Sequence, residues 1–363
     1  MAKDAHVAVG DREVRVSSPD RVIYEATERT PEISKLQVCE YFAAVGVPLM
    51  RALGERPTAL ERWPSGVREG YRLATSTTQK DAEAFYQKRV PKGAPDYLET
   101  VTVTFPSGRT ADEVCPTEPA VPVWCAQMGT LTFHPWPVRR GEVDLPDELR
   151  IDLDPQPGTT FADAKRVAGV ARELLEELGI TGYPKTSGNR GIHIYVRIRP
   201  EWSFEDVRHA AIGFGRELER RDDGVTTAWW KEQRGERIFI DYNQNNRDRT
   251  IASAYSLRPK PGAPVSTPLT WAELADVDDP RELNILTVPE LLAGREDAWA
   301  AIDDVHHDLA PLLRLWEELP GGELNFPPDY PKMPGEPPRV QPSKKVAEHW
   351  DEAGNRIAKQ LEK

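Results

Sequence analysis

Cysteine is scarce in this 363-residue chain: there are three, Cys39, Cys115 and Cys125, and no two have the C-x-x-C spacing of a zinc or redox site. An odd number of scattered thiols excludes a disulfide framework and a cysteine-built metal centre, so all three are expected reduced and structural. Long apolar runs are missing as well. The opening MAKDAHVAVGDREV lacks the charged-then-apolar layout of a secretion signal, so a cytoplasmic protein with no membrane partner is expected. Net positive charge is absent too. The 47 Lys and Arg face 59 Asp and Glu, a balance of −12, which is the opposite of the basic footprint most nucleic-acid binders carry. No internal repeat is visible. What remains is 39% hydrophobic residues, enough to build the core of one large or two ordinary globular domains.

The charge is unevenly spread. Residues 185–199 hold Lys185, Arg190, Arg197 and Arg199 with no acid among them. A second basic set, Lys231, Arg234, Arg237, Arg247, Arg249, Arg258 and Lys260, surrounds Asp241. Acid is concentrated elsewhere, notably at 276–282 and in the last third, which leaves room for a basic groove on an acidic molecule.

The stretch ELRIDLDP at 148–155 organises the rest. As a strand, its period of two sends Ile151 and Leu153 to one face and Asp152 and Asp154 to the other. Two carboxylates so close repel unless a cation lies between them, which makes a strand-borne Asp-x-Asp a divalent-metal platform. A pair of solvated surface acids has the same spacing.

Around this strand, 12–24 alternates and turns at Ser-Pro-Asp. Residues 32–53 carry a helical apolar stripe that Pro48 should end or kink. The segment 56–95 has the composition of a loop, with a short helix before Phe85 and Tyr86, and strands are expected at 98–105 and 131–134. From 161 to 178 apolar residues recur at helical spacing until Gly179. Residues 191–198 alternate without a break. Ser203 and Asp206 form a capping-box pattern for a helix over 204–220, and 237–242 makes one more strand. This alternation describes a sheet covered by helices, an α/β or α+β layer architecture. Beyond the Pro-rich link 258–271 the text is helical to about 318, and the final ~45 residues have the composition of a loosely packed extension with a polar helical tail.

Three features then fall on neighbouring strands: the pair Asp152 and Asp154; the turn KTSGNRG at 185–191, leading into the strand of His193; and Asp241, at the end of its own strand. Glycines at 188 and 191 would let backbone amides approach a ligand, while Ser187, Lys185, Arg190 and His193 supply a hydroxyl and positive charge. Arg234 and Arg258 flank Asp241 in sequence and are placed to hold phosphates. Three carboxylates beside a triphosphate cradle are what two-metal phosphoryl transfer requires.

The blocks IDLDP, KTSGNRGIHIYV, IFIDYNQNNRDRTIASAYSLRPKPGAPVSTPLTW and LTFHPWP together resemble the polymerase domain of bacterial ligase D, in the archaeo-eukaryotic primase superfamily, from about residue 11 to 271. The resemblance implies an α+β, two-layer primase-polymerase fold whose RRM-like catalytic sheet packs against an N-terminal α/β module. It divides the chain into 1–135 with DNA-contacting loops, a catalytic module 136–300, and an extension 301–363. It implies a nucleotidyltransferase that extends DNA primers with ribo- or deoxyribonucleoside triphosphates in gap filling or break repair, using two Mn2+ or Mg2+ ions held by Asp152, Asp154 and Asp241. Ser187, Arg190, Gly191, His193, Arg234, Gln244 and Arg258 would bind the triphosphate. Phe85 and Tyr86 match an aromatic pair that stacks on base or template, and Arg21, Lys35 and Lys88 would meet the 5'-phosphate of a gapped or broken duplex.

His134, inside FHPWP, reads either as a contact to the nucleotide sugar or as a packed structural histidine. Trp229 and Trp230 read as core rather than stacking platform, and His306 and His307 carry no role. Two departures lie where relatives use DNA: 67–84 is longer than expected, and 28–33 looks extended. Neither a ligase nor a phosphoesterase signature is present, nor the zinc element of replicative primases. A stand-alone monomeric relative is expected, working with a separate ATP-dependent DNA ligase. The rival readings are a non-catalytic DNA-end or gap-binding module that recruits a ligase, and a nucleotide-sugar transferase using D-x-D.

Overall fold

The computed structural model describes residues 4–74, 79, 81–106 and 108–326. Its centre is the strand Glu148–Pro155, which pairs antiparallel with Ile192–Arg197 on one side and Ile238–Ile240 on the other. Tyr183–Thr186 and the two-residue strand Val225–Thr226 complete a five-stranded sheet. The alternation read from the sequence holds: Leu149, Ile151, Leu153, Ile192, Ile194, Val196, Ile238 and Ile240 share one buried cluster. They pack there against the apolar faces of helices Phe161–Glu177 and Phe204–Arg221. Both helices start on capping boxes, Thr160 with Asp163 and Ser203 with Asp206, so the first-turn amides are satisfied as each helix leaves a strand. Gly179, at φ +71°, turns the chain out of the first of them.

A second sheet, built from the N-terminal half, runs Leu73–Ala74, Ala84–Gln87, Thr58–Arg62, Thr110–Cys115, Glu99–Thr104, with Thr130–Pro135 also paired to Thr58–Arg62. Its core takes in helices Lys35–Ala44, Gly46–Leu53 and Ala120–Gln127 together with residues from 254–302. The two sheets and their helices form the α+β layers expected. Among the described residues no single helix is long and apolar enough to cross a membrane, and all three cysteines are free and buried.

Several local expectations are corrected. The helix anticipated over 32–53 is two helices meeting at 76°, and the break falls at Val45 rather than Pro48. Pro48 sits in the first turn of the second helix, where it removes no intrahelical bond. Where a short helix is expected before Phe85, the described residues are the strand Leu73–Ala74 and non-helical 81–83, with Phe85 and Tyr86 inside the strand Ala84–Gln87; 75–78 and 80 lie outside the described residues. The strand expected over 237–242 is only Ile238–Ile240, and Tyr242–Asn245 winds into a 3-10 turn. The helical stretch after 271 is three short helices, Trp271–Asp276, Thr287–Ala293 and Ala310–Glu318. His306 and His307 lie between helices, where His307 Nε2 accepts from the Thr181 amide at 3.0 Å. The tail 327–363, and 75–78 and 80 of the long 67–84 segment, lie outside the described residues.

On the polar face of the central strand the two sheets are joined by charge. Arg56, from the N-terminal half, pairs with Asp147 at 2.5 Å and Glu148 at 3.1 Å. Arg150 and Arg197 also bind Glu148, and Arg139 binds Asp147. The side chains of Arg56, Arg150 and Arg197 are wholly buried. Burial alone would raise the Glu148 carboxyl, but the Arg56, Arg150 and Arg197 charges outweigh it and hold the group well below its ordinary 4.5.

Removing one member strands buried guanidinium groups, so Glu148→Ala is expected to cost about 3–5 kcal/mol in urea unfolding. A folded-state pKa below the unfolded value gives stability that is present above pH 4.5 and lost as pH falls through the depressed value. Acid unfolding below pH 4.5 should therefore be blunted in Glu148→Gln, when denaturation midpoints are compared across pH.

Candidate active site

The central strand carries two acids on its polar face beyond the buried ion cluster. Asp152 lies opposite His193 in the register, and the Asp241 amide donates to the Asp152 carbonyl at 3.2 Å. This places the third acid where the short strand Ile238–Ile240 ends against its neighbour. Asp154 follows two residues on, exposed at the strand end. Burial, then the charges of Asp241 and Asp154, push the Asp152 carboxyl well above its ordinary value. Asp241 is raised too, by burial first, against the opposing effects of Gln244 and Arg234. At an effective dielectric near 20, two carboxylates about 4 Å apart repel by about 4 kcal/mol, so the trio invites a cation.

The protein itself supplies little direct compensation. Asp154 accepts from Gln156 Nε2 at 3.0 Å. Asp241 accepts from Gln244 Nε2 at 2.9 Å and from the Asn243 amide at 3.2 Å. Asp152 Oδ1 lies 3.3 Å from His193 Nε2. Among the described residues none of the three pairs with a lysine or arginine. Carboxylates clustered, hard and oxygen-donating, fed by neutral amides and left without a paired cation, fit one or two Mn2+ or Mg2+ ions. Among the described residues the one set of three donors whose ligand atoms all lie within 4.8 Å of one another is Glu205, His209 and Glu323, where Arg208 pairs with Glu323; the three aspartates, as a set, stand further apart than that.

Behind His193 lies a residue the motif reading had placed only as loose positive charge. Lys185 is fully buried, and its Nζ contacts His193 Nδ1 at 2.9 Å, the Ala252 carbonyl at 3.0 Å and Ser266 Oγ. Ser266 spends its own proton on the Thr186 carbonyl, so it accepts from Lys185. Burial pushes the Lys185 pKa well below its ordinary value; held as an ammonium it donates three ways, which makes Nδ1 an acceptor and turns the imidazole proton on Nε2 toward the Asp152 carboxylate. Burial and the Lys185 and Arg258 charges hold His193 well below its usual pKa, so the ring is neutral.

The turn 186–191 differs from the open cradle expected. Ser187 Oγ accepts from the Asn189 and Gly191 amides at 3.2 and 3.1 Å, closing the turn on itself. Its glycines meet protein atoms. A Cβ on Gly188, at φ +69°, would lie 2.4 Å from Arg258 Cγ, and one on Gly191 would lie 2.9 Å from the Leu153 carbonyl. They bring the turn against Arg258 and the acid-bearing strand. Arg190 is exposed and reaches back to the Pro155 carbonyl at 3.4 Å.

Arg258 is half-buried and its Nε has no hydrogen-bond partner. Its charge acts on Asp152, Lys185, His193 and Glu61 alike, which sets it amid the site. Arg234 is otherwise engaged: it is buried, binds the Ala228 and Trp229 carbonyls and Gln156 Oε1, and lies 3.4 Å from the Phe239 ring centre. It acts on Asp154 through Gln156 rather than standing free for phosphate. Trp229 packs on Phe239 and Tyr242, and Trp230 packs against it.

On the N-terminal sheet, Phe85 and Tyr86 point to opposite faces. Phe85 lies under Arg62 at 5.3 Å, whereas Tyr86 is 43% exposed and meets the His134 ring edge-on at 5.2 Å. They therefore do not make one joint platform. His134 Nε2 bonds Glu61 Oε2 at 2.9 Å, and Trp63 Nε1 holds the other oxygen at 3.0 Å. Burial lowers His134, and the His134 and Trp63 donors hold Glu61 low despite its burial, which leaves a neutral imidazole on an ionised carboxylate. Glu61 has no motif to mark it, since it reads as one acid in a buried strand.

The three residues expected at a 5'-phosphate do not share one environment. Arg21 is exposed and bonds the Pro64 carbonyl, and its own carbonyl accepts from the Lys35 amide. The Lys35 ammonium is 7% exposed and held by Ser17 and Gln127 oxygens, with no carboxylate among them. Lys88 instead pairs with Asp248 at 2.6 Å and lies 4.4 Å from the Phe105 ring.

A mixed sheet presenting acids from adjoining strands, packed on a second α/β layer, is the primase-polymerase fold. Residues 34–299 match the primase-polymerase domain of LigD, and the chain belongs to that family. It is similar to the multifunctional non-homologous end joining protein LigD of Mycolicibacterium smegmatis, 31% identical over 80% of this chain and 36% of that protein. It also resembles the bifunctional LigD of Bacillus subtilis, 29% identical over 76% of this chain and 42% of that one. The chain thus spans well under half the length of these relatives. The polymerase domain of Mycobacterium tuberculosis ligase D, solved in complex with DNA, superposes with a TM-score of 0.69 at 29% identity, covering 81% of this chain and 99% of that one.

Lys185→Met is expected to strand the Ala252 and Ser266 oxygens, costing about 1–3 kcal/mol in denaturant melts. It should also release the His193 tautomer, read as a change in the imidazole 15N shifts.

Proposed function

We propose that this chain is a metal-dependent nucleotidyltransferase that adds nucleoside triphosphates to primer ends in gapped or broken DNA, as part of end-joining repair. The observation that carries this reading is the meeting of Asp152, Asp154 and Asp241 without a paired lysine or arginine, beside the unpartnered Arg258 Nε. Asp152, Asp154 and Asp241 would hold two Mn2+ or Mg2+ ions, which when bound acidify the primer hydroxyl and neutralise the leaving pyrophosphate. Arg258, Arg190 and the Ser187 hydroxyl would bind the triphosphate, Gly191 keeps their turn close to the acids, and His193, in the same motif, stands against Asp152 beside it. Arg234 and Gln244 orient the carboxylates through Gln156 and directly. Tyr86 and His134 flank the base and sugar.

Relatives named for non-homologous end joining and a relative solved with DNA support DNA as the partner. Lys35 supports a 5'-phosphate contact, because a nearly buried ammonium held only by neutral oxygens gains from an anion. Ribo- and deoxyribonucleotides are both proposed substrates. A purely DNA-binding module would have no use for three acids next to phosphate, two of them desolvated by burial, since their charge opposes its ligand.

The test is extension of a 5'-phosphorylated gapped duplex with labelled ribo- or deoxyribonucleotides and Mn2+. Asp152→Asn is expected to fall to background while still binding the duplex; equal incorporation by both proteins would remove the assignment. Arg258→Ala is expected to raise the nucleotide KM by about 10- to 100-fold, the cost of one charged contact, and to leave the duplex Kd within about twofold.

A further inference from the structure

The segment after helix Ala310–Glu318 returns across the molecule to the turn that presents Asp241. Arg208, on helix Phe204–Arg221, is the hub, and its side chain is wholly buried. Its Nε donates to Asn243 Oδ1 at 2.9 Å, Nη1 pairs with Glu323, and Nη2 donates to the Leu324 carbonyl at 2.7 Å. The guanidinium is stacked between Tyr242, at 5.2 Å, and Phe326, at 3.8 Å. Asn325 completes the clasp, its carbonyl accepting from Asn243 Nδ2 at 2.8 Å and Tyr242 Oη at 3.4 Å. His209 Nε2 holds the second Glu323 oxygen at 2.7 Å.

Every contact of this strap on the turn falls on Tyr242 or Asn243, next to the third acid. The Asn243 amide donates to Asp241 Oδ1, and its side chain is fixed between Arg208 and Asn246. The other Asp241 carboxylate oxygen is held by Gln244 Nε2, from the same 3-10 turn, and the strand before it is only three residues long, so both side-chain contacts of Asp241 depend on how that turn is placed. Strap residues 323–326 lie outside the stretch 34–299 that matches the family.

We propose that the strap Glu323–Asn325–Phe326, acting through Arg208 and Asn243, is a positioning device that sets the Asp241 carboxylate and thereby the affinity for the divalent ion. This rests on the reading of Asp241 as a metal ligand. Docking of the strap pre-orders the turn, and its release lets the carboxylate rotate away from its two partners.

The experiment uses the full chain with the double substitution Glu323→Ala and Phe326→Ala, and follows Mn2+ binding by electron paramagnetic resonance of the free ion. Backbone hydrogen exchange at 242–246 reports whether the strap has let go. Binding should weaken by about tenfold or more, in the range typical of losing a group that orients a ligand. Exchange at 242–246 should rise, excess Mn2+ should restore primer extension, and Glu323→Gln alone, which keeps an acceptor for Arg208, should recover most of the affinity. Faster exchange with an unchanged Mn2+ titration would overturn the proposal, as would a loss of rate that no Mn2+ concentration restores. Should the double variant fail to fold, Phe326→Leu is read by the same criteria. Asp241→Asn in the same titration separates the two ideas. If it weakens binding while the strap variants do not, only the strap fails; if it too leaves binding unchanged, the metal reading itself falls.

Discussion

One strand carries two opposite solutions to buried charge. At its start, Glu148 is wholly enclosed, yet Arg56, Arg150 and Arg197 surround it so closely that it stays ionised. Four and six residues on, Asp152 and Asp154 occupy the same face without any such guanidinium. The first arrangement is closed and ties the N-terminal sheet to the five-stranded one, since Arg56 comes from the far side of the interface. The second is open and unbalanced. The contrast lets a single β-strand act as both the rivet between layers and the platform for chemistry: the ion cluster fixes the strand so firmly that its far end can bear mutual repulsion.

The same economy governs the second motif. Glycine at 188 and 191 does not expose amides to a ligand; it removes two side chains that would otherwise hold the turn away from Arg258 and from the Leu153 carbonyl. Ser187 then ties the loop internally through the Asn189 and Gly191 amides. The loop is therefore tied to itself by two internal hydrogen bonds, which lowers the ordering cost that any ligand bound there would incur.

Much of this was legible without coordinates. Period-two alternation located 148–155 and 192–197, helical spacing located the two covering helices, and the Ser203 and Asp206 pattern marked a helix start. Each is a local rule with one geometric outcome. What escaped was polar and long-range. Lys185 stood out only as positive charge in a turn, and Gln156, Glu61 and Arg208 carried no local signal at all. Their meaning comes from a partner 8 to 115 positions away, and nothing in their own neighbourhood encodes it. Phe85 and Tyr86 were misread together for the converse reason: the segment had the composition of loop, so the alternation that sends adjacent side chains to opposite faces was not applied to it.

The borders of the catalytic sheet carry a consequence for how the molecule keeps to itself. Along Tyr183–Thr186, the outer backbone is occupied by 267–269: the Thr186 amide donates to the Thr267 carbonyl and the Leu269 amide to the Pro184 carbonyl. Pro268 sits opposite Lys185. The other border, Val225–Thr226, is two residues long. Neither margin offers a run of vacant amides and carbonyls for a neighbouring chain to zip onto, so this sheet is finished at both ends and has no seam from which a fibril could grow.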